Sequence, residues 1–134
     1  MNIKKFADLL QAARTQPLKQ RLLFVFANAE LPDDANAAQR AGFEAGQGGA
    51  LMPLMCVDKD PHDLKSFDSL VQEAAQFGPA WRFIFAGALS GSANGAPNAE
   101  LVETSLQAMV ESIKRGEMSR YLAFDRQGSP VVLE

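Results

Sequence analysis

A chain of 134 residues, 47% hydrophobic and 22% charged, has room for one hydrophobic core and the composition of an ordinary globular domain. That excludes a disordered chain, a coiled coil and a collagen-like repeat, and no apolar stretch approaches the ~18 residues of a membrane span. A net charge of −3 is not the basic balance that neutralising phosphates calls for, so neither nucleic acid nor membrane is an expected partner.

Met1-Asn2-Ile3-Lys4-Lys5 leads into an amphipathic pattern and not the apolar run of a secretory signal. Ile3, Phe6, Leu10 and Ala13 recur at helical spacing with Leu9 beside them, so residues 3–15 read as a helix stopped by Pro17. Arg21–Ala27 is a continuous apolar run, the pattern of a central strand covered on both faces. Residues 28–49 read as a long acidic, alanine-rich excursion. Pro32-Asp33-Asp34 offers a turn and a helix start, Ala35–Ala45 a short helix with Phe43 as its aromatic anchor, and Gly46, Gly48 and Gly49 its end. Connections of this length are often functional or disordered.

Ala50–Asp58 follows as a strand, with Met52, Leu54 and Cys56 on one face and Leu51, Met55 and Val57 on the other. Pro53 removes a donor, which predicts an edge position or a bulge. Asp60 and Pro61 then read as the cap and first residue of a helix whose apolar face is Leu64, Phe67, Leu70, Val71 and Ala74, ended by Gly78-Pro79. Trp81–Leu89 is a further strand, apolar on both faces except at Arg82. A glycine- and serine-rich link over 87–98 leads to a helix starting near Pro97 or Asn98. Val102, Leu106, Met109, Val110 and Ile113 line one side of that helix, Lys114 and Arg115 suit its C-terminal dipole, and Gly116 stops it. Ser119–Asp125 and Val131–Leu133 around Arg126-Gln127-Gly128-Ser129 read as a closing β-hairpin.

The expected architecture is a single α+β (or α/β) domain over 1–134, with a mixed four- to five-stranded sheet and three to four helices. If all the helices lie on one face, a homodimer interface is the natural cover for the other. Charge is unevenly spread. Residues 1–27 carry net +4 (Lys4, Lys5, Arg14, Lys19 and Arg21 against Asp8) and residues 28–63 net −5. The two segments are either simply solvated faces or complementary patches that steer a partner or a second copy.

Few residues suggest chemistry. Cys56 is the single cysteine, which rules out an internal disulfide and a multi-cysteine metal site and points to the cytoplasm. His62 is the single histidine and has no second His or Cys at ligand spacing. A Cys56–His62 dyad would need a reactive thiol where a strand normally buries a small hydrophobe. Asp58, Asp60 and Asp63 lack the glycine and distal glutamate of a calcium loop, and helix capping accounts for the last two. Ser90 and Ser92 lack a G-x-S-x-G context. Phe24, Phe26, Phe83 and Phe85 sit in apolar runs and read as core rather than stacking platforms. The most suggestive feature is the 87–98 link, where backbone N–H groups at a helix start can cradle an anion. Gly91, Ser92, Asn94, Gly95 and Asn98 are its candidate ligand-binding residues, with Arg82 or Arg120 as charge partner, although Gly87, Gly91 and Gly95 do not match a nucleotide fingerprint.

The runs Arg21–Ala27, Glu30-Leu31-Pro32-Asp33-Asp34-Ala35 and Gly48–Lys59, with Phe124-Asp125-Arg126-Gln127-Gly128, resemble a small bacterial family commonly labelled "ribonucleotide reductase subunit alpha". The reductase chemistry in that label needs a redox-active cysteine pair and a radical-bearing cysteine in a much larger barrel, whereas this chain offers Cys56 alone. The strand–excursion–strand–Pro–helix order also resembles the N-terminal domain of SseB-type proteins. Neither resemblance transfers a functional residue. With no catalytic residue, metal or cofactor expected, the reading is a small cytoplasmic, non-enzymatic interaction protein that binds itself or another protein. A small-anion or phosphate binder using the 87–98 link, possibly an enzyme, is the alternative. An accessory factor for a nucleotide-reducing enzyme is a third reading, implied by the family label alone.

Overall fold

Two runs, apolar on both faces, form the middle of the sheet. In the computed structural model, which describes residues 5–30, 34–44, 50–78 and 80–132, they are strands β1 (Gln20–Glu30) and β3 (Phe83–Ser90). Around them run helix α1 (Phe6–Arg14), α2 (Ala37–Glu44), strand β2 (Ala50–Lys59), α3 (Phe67–Ala75), α4 (Ala99–Lys114), β4 (Leu122–Phe124) and β5 (Pro130–Val131). The five strands form one sheet in the order β2-β1-β3-β4-β5, an α+β fold closed by a short C-terminal hairpin. Every pairing is antiparallel, where the sequence suggested a mixed sheet. The reason is topological: β2 and β3 flank β1 on opposite sides, so α3 joins two strands that are not neighbours.

Side-chain alternation along β1 divides the interior in two. Leu22, Phe24 and Phe26 face α1 and α3, meeting Phe6, Leu9, Leu10, Leu70, Ala74, Trp81, Ile84 and Phe124. Leu23, Val25 and Ala27 face α4, meeting Phe83, Phe85, Val102, Leu106, Met109 and Ile113. The four strand phenylalanines are all buried, as expected, two on each side. Helices thus lie on both faces of the sheet, so neither face needs a second chain to cover it, and the argument for a dimer across an open face falls away. On the first face Phe6 is the hub, with the rings of Phe24, Phe67 and Phe124 at centroid distances of 5.7, 5.0 and 5.4 Å. Each fully buried ring of this cluster, Phe6, Phe24 and Phe124, contributes about 1.5–3 kcal/mol through burial alone.

β2 is an edge strand and is bulged, the two outcomes that Pro53 predicts. Phe26 pairs with Met55 but Ala27 pairs with Pro53, so Leu54 is the extra residue. The bulge reverses parity, which corrects the face assignment. Leu51 packs with the α4 side, while Leu54, Met55 and Val57 pack against the α1/α3 side. Cys56 is exposed, not the buried small hydrophobe that its place in a strand suggested.

The start of α3 is also corrected. Residues 60–64 form a turn held by Asp60, whose Oδ1 accepts from the His62 N–H (2.8 Å) and whose carbonyl accepts from the N–H groups of Asp63 and Leu64 (3.0 and 3.2 Å). The helix begins at Phe67, with Ser66 Oγ accepting from the Ser69 N–H at 3.1 Å. Arg14 explains the delay. Its Nε donates to the Pro61 carbonyl (2.7 Å) and its Nη2 to the Leu64 carbonyl (2.5 Å), taking acceptors that a helix would use. Pro61 and Leu64 remain buried.

Asn36 caps α2 through a reciprocal box with Gln39, each side chain accepting the other's N–H at 2.8 Å. The sequence placed this start at 32–34; Pro32 and Asp33 lie outside the described residues, as do Gly46, Gly48 and Gly49, Ile3 and Leu133, and nothing is described of the Phe43 side chain. α4 matches expectation: Asn98 Oδ1 accepts from the Leu101 N–H (2.8 Å), and Gly116 at φ +78° ends the helix.

Candidate functional site

The glycine-rich link proves to be a turn that uses its own donors. β3 runs through Ser90, so Gly87 to Ser90 belong to the strand. Beyond it the Gly91 N–H donates to the Lys19 carbonyl (2.8 Å), and Ser92 and Gly95 exchange backbone bonds of 2.9 and 3.0 Å. The Asn94 N–H donates to Ser92 Oγ (3.2 Å), while the Asn98 side chain is spent capping α4. A Cβ at Gly91 would run into the Gly95 carbonyl oxygen, so glycine is there to let two backbone segments approach, and Gly95 takes φ +129°. Ser90 Oγ pairs with the Gln20 amide at 2.8 Å. Arg82 stands just before β3 and the link just after it, so the eight residues of the strand separate them by roughly 25 Å. The structure therefore does not bring Arg82 to the loop; Arg120, the other charge partner named, is exposed in the turn that precedes β4.

The acidic residues and the histidine are also structural in their described contacts. Asp58 pairs with Arg21 across β1 and β2 at 2.5 Å, and Lys59 pairs with Glu73 of α3 at 2.6 Å. The basic and acidic segments of the chain thus meet within the fold. Among the described residues, no three of the His, Cys, Asp and Glu side chains come together as a metal site. His62 is exposed in its turn.

Among the described residues, two concave regions lie one at each side of the sheet. The first is a groove of about 270 Å³ between the outer strand β2 and α3. Leu54, Met55 and Val57 form one wall and Leu70, Ala74 and Phe77 the other, with Phe26 among the lining residues. Cys56 and Glu73 are also among its described lining residues, and His62 is not. Phe77 follows α3 and is 69% exposed, the most exposed aromatic among the large hydrophobics. Its spacing from Leu70 and Ala74 continues the apolar stripe of α3 by one more turn, which is the sequence signal that could have found it.

The second is a cleft of about 460 Å³ lined by Arg82, Phe83, Asp125, Arg126, Gln127, Val131 and Val132. Arg126 lies over the Trp81 ring at 4.7 Å and donates from Nη1 to the Trp81 carbonyl at 2.6 Å. Arg82 lies over the Phe83 ring at 5.2 Å. Sequence reasoning named Arg82 and missed Arg126, because only the folded chain places both in one cleft. No family model, no curated protein and no solved structure matches the chain.

Proposed function

We propose that this chain is a small cytoplasmic, non-enzymatic protein that works by self-association, a second copy pairing its own β2 with the outer edge of β2. The observation that carries this reading is the outer position of a ten-residue strand beside an apolar groove, with the Phe77 ring standing at its rim. An edge strand presents a row of N–H and C=O groups on its outer side, a template for another strand. From Ala50 to Val57 β2 carries no charged residue, so a like copy meets no repulsion there.

Geometry favours a closed pair over a fibre. Two antiparallel copies of one strand keep their faces only if residues of the same parity oppose each other, so the two-fold axis passes through a residue. Pro53 and the bulge at Leu54 spoil the first half for pairing, leaving Met55–Lys59 and placing the axis at Cys56 or Val57. Either register brings Met55 and Val57 of both copies to the α3 side, where the two grooves join into one trough beneath the two Phe77 rings. Either register also sets the two Cys56 residues within about 8 Å of each other.

Sedimentation over a concentration series reaching about 100 μM tests this, because dimer content must rise with protomer concentration. A short bismaleimide should join the wild-type chains through Cys56, and Val57→Arg should abolish both the dimer and the cross-link. A monomer throughout the series overturns the reading. The anion-binding alternative at Gly91–Asn98 draws little support from a loop in which the N–H groups of Gly91, Ser92, Asn94 and Gly95 are already engaged, and the family resemblance supplies no residue to either reading.

A further inference from the structure

α3 carries its apolar stripe to the groove beside β2 through Leu70, Ala74 and Phe77, and the middle one of the three is the smallest. A leucine or phenylalanine at that place would fill the gap to β2, whereas alanine leaves it open. The bulge sets the opposite wall. One extra residue puts two consecutive side chains, Leu54 and Met55, on the same side of β2, where both line the groove. Bulges recur where a side chain has to be re-aimed at a site. Phe26, Leu70 and Ala74 are core residues, 2%, 1% and 4% exposed, while Met55 is the side chain best able to adapt to an occupant. Charge in the groove is already matched. Lys59 Nζ stands 2.7 and 2.6 Å from the two Glu73 carboxylate oxygens, a bridge that ties β2 to α3.

We propose that the groove between β2 and α3 is a binding site for a small, neutral, apolar molecule the size of two fused aromatic rings. The size follows from the volume. A dry cavity of ~150 Å³ lined by Leu, Ile and Phe takes one benzene ring, and this groove holds about 270 Å³. Neutrality follows from the charge. With Glu73 matched by Lys59, an ionised ligand would give up its hydration against apolar walls and gain no counter-ion from the described lining. The exposed Phe77 ring offers an aromatic face at the rim. The site lies within one protomer, on the α3 side of β2, so it does not depend on the pairing of β2 edges.

The α-isomers of naphthol, naphthoate and naphthylmethylammonium share one ring system and differ in charge. Equilibrium dialysis of the full chain should show saturable binding of naphthol below about 1 mM, with each charged analogue at least about tenfold weaker. Ala74→Leu should fill the groove and abolish the binding. If that larger side chain prevents folding, Leu54→Glu at the half-buried opposite wall decides the matter. It should weaken naphthol binding at least about tenfold. Leu101→Ser, a control on α4 at the other face of the sheet and 44% exposed, should bind as wild type does, which separates the groove from general stickiness. Affinity should be unchanged on diluting the protein, so a chain that is monomeric at every concentration overturns the pairing and leaves this site standing. No saturable binding up to about 1 mM, a charged analogue that binds as well as naphthol, or binding that survives the substitutions in the groove overturns the site.

Discussion

The sheet ends differently on its two sides, and the difference separates what holds this molecule together from what is left for a partner. On one side β4 and β5 contribute only three and two residues, yet they are keyed into the interior. Phe124 is fully buried against Phe6, and the Phe6 N–H donates to the Gly128 carbonyl at 3.3 Å. Pro130 begins β5, a residue suited to a strand that needs no further neighbour. On the other side β2 is ten residues long, is tied by the ladder to β1 and by two ion pairs, and stands beside a groove. A short edge closed by burial is protected, whereas a long apolar edge guarded only by a proline and a bulge invites pairing.

The same residue type at the two sides gives the largest contrast. Phe124→Ala removes a ring that is 0% exposed and should cost about 3–5 kcal/mol, measured by urea unfolding. A loss below about 1 kcal/mol would mean that the hairpin is not part of the core. Next comes Gly128→Ala. This glycine holds φ +81°, and a Cβ there would lie 3.2 Å from the Phe67 ring, so strain and crowding together should cost about 1–3 kcal/mol. Pro53→Val acts on the opposite edge and in another observable. It lengthens the strand available for pairing, so light scattering on warming should show faster aggregation while the unfolding midpoint moves little.

The parts of the fold that were legible from sequence are those whose signal is local. Leu9, Leu10 and Ala13 in α1 and the Val102-to-Ile113 stripe in α4 bury as their spacing requires. The both-sided apolar character of β1 and β3 placed them in the middle of the sheet, and Pro53 announced the edge and the bulge together. What stayed hidden depends on distant partners. Asp60-Pro61 reads as a helix start, but Arg14, 47 residues earlier than Pro61, takes its carbonyl and the helix waits for Ser66. The faces of β2 were misassigned because one extra residue reverses parity for the rest of the strand. The same holds for the candidate sites. Arg82 was visible as a lone charge in an apolar run, but it was assigned to the wrong loop, since the fold places it in one cleft with Arg126. Met55, Val57 and Phe77 line one groove only because α3 folds back beside β2.

Phe77→Ser sharpens the contrast at its smallest. Truncating an aromatic normally destabilises because a ring leaves the interior, but this ring keeps 69% of its surface in solvent, so little transfer free energy is at stake. The unfolding free energy of the isolated chain should change by no more than about 0.5 kcal/mol, an order of magnitude below Phe124→Ala. Association should not be spared in the same way. In the paired arrangement both Phe77 rings lie over the joined groove, so each dimer loses two rings and two hydroxyls take their place on an apolar seam. Sedimentation should therefore show the variant monomeric at concentrations where the wild type is paired, with matched unfolding curves at the lowest concentration. Equal weakening of folding and pairing would place Phe77 in the core. Pairing undisturbed by the change would move the contact away from the α3 side of β2.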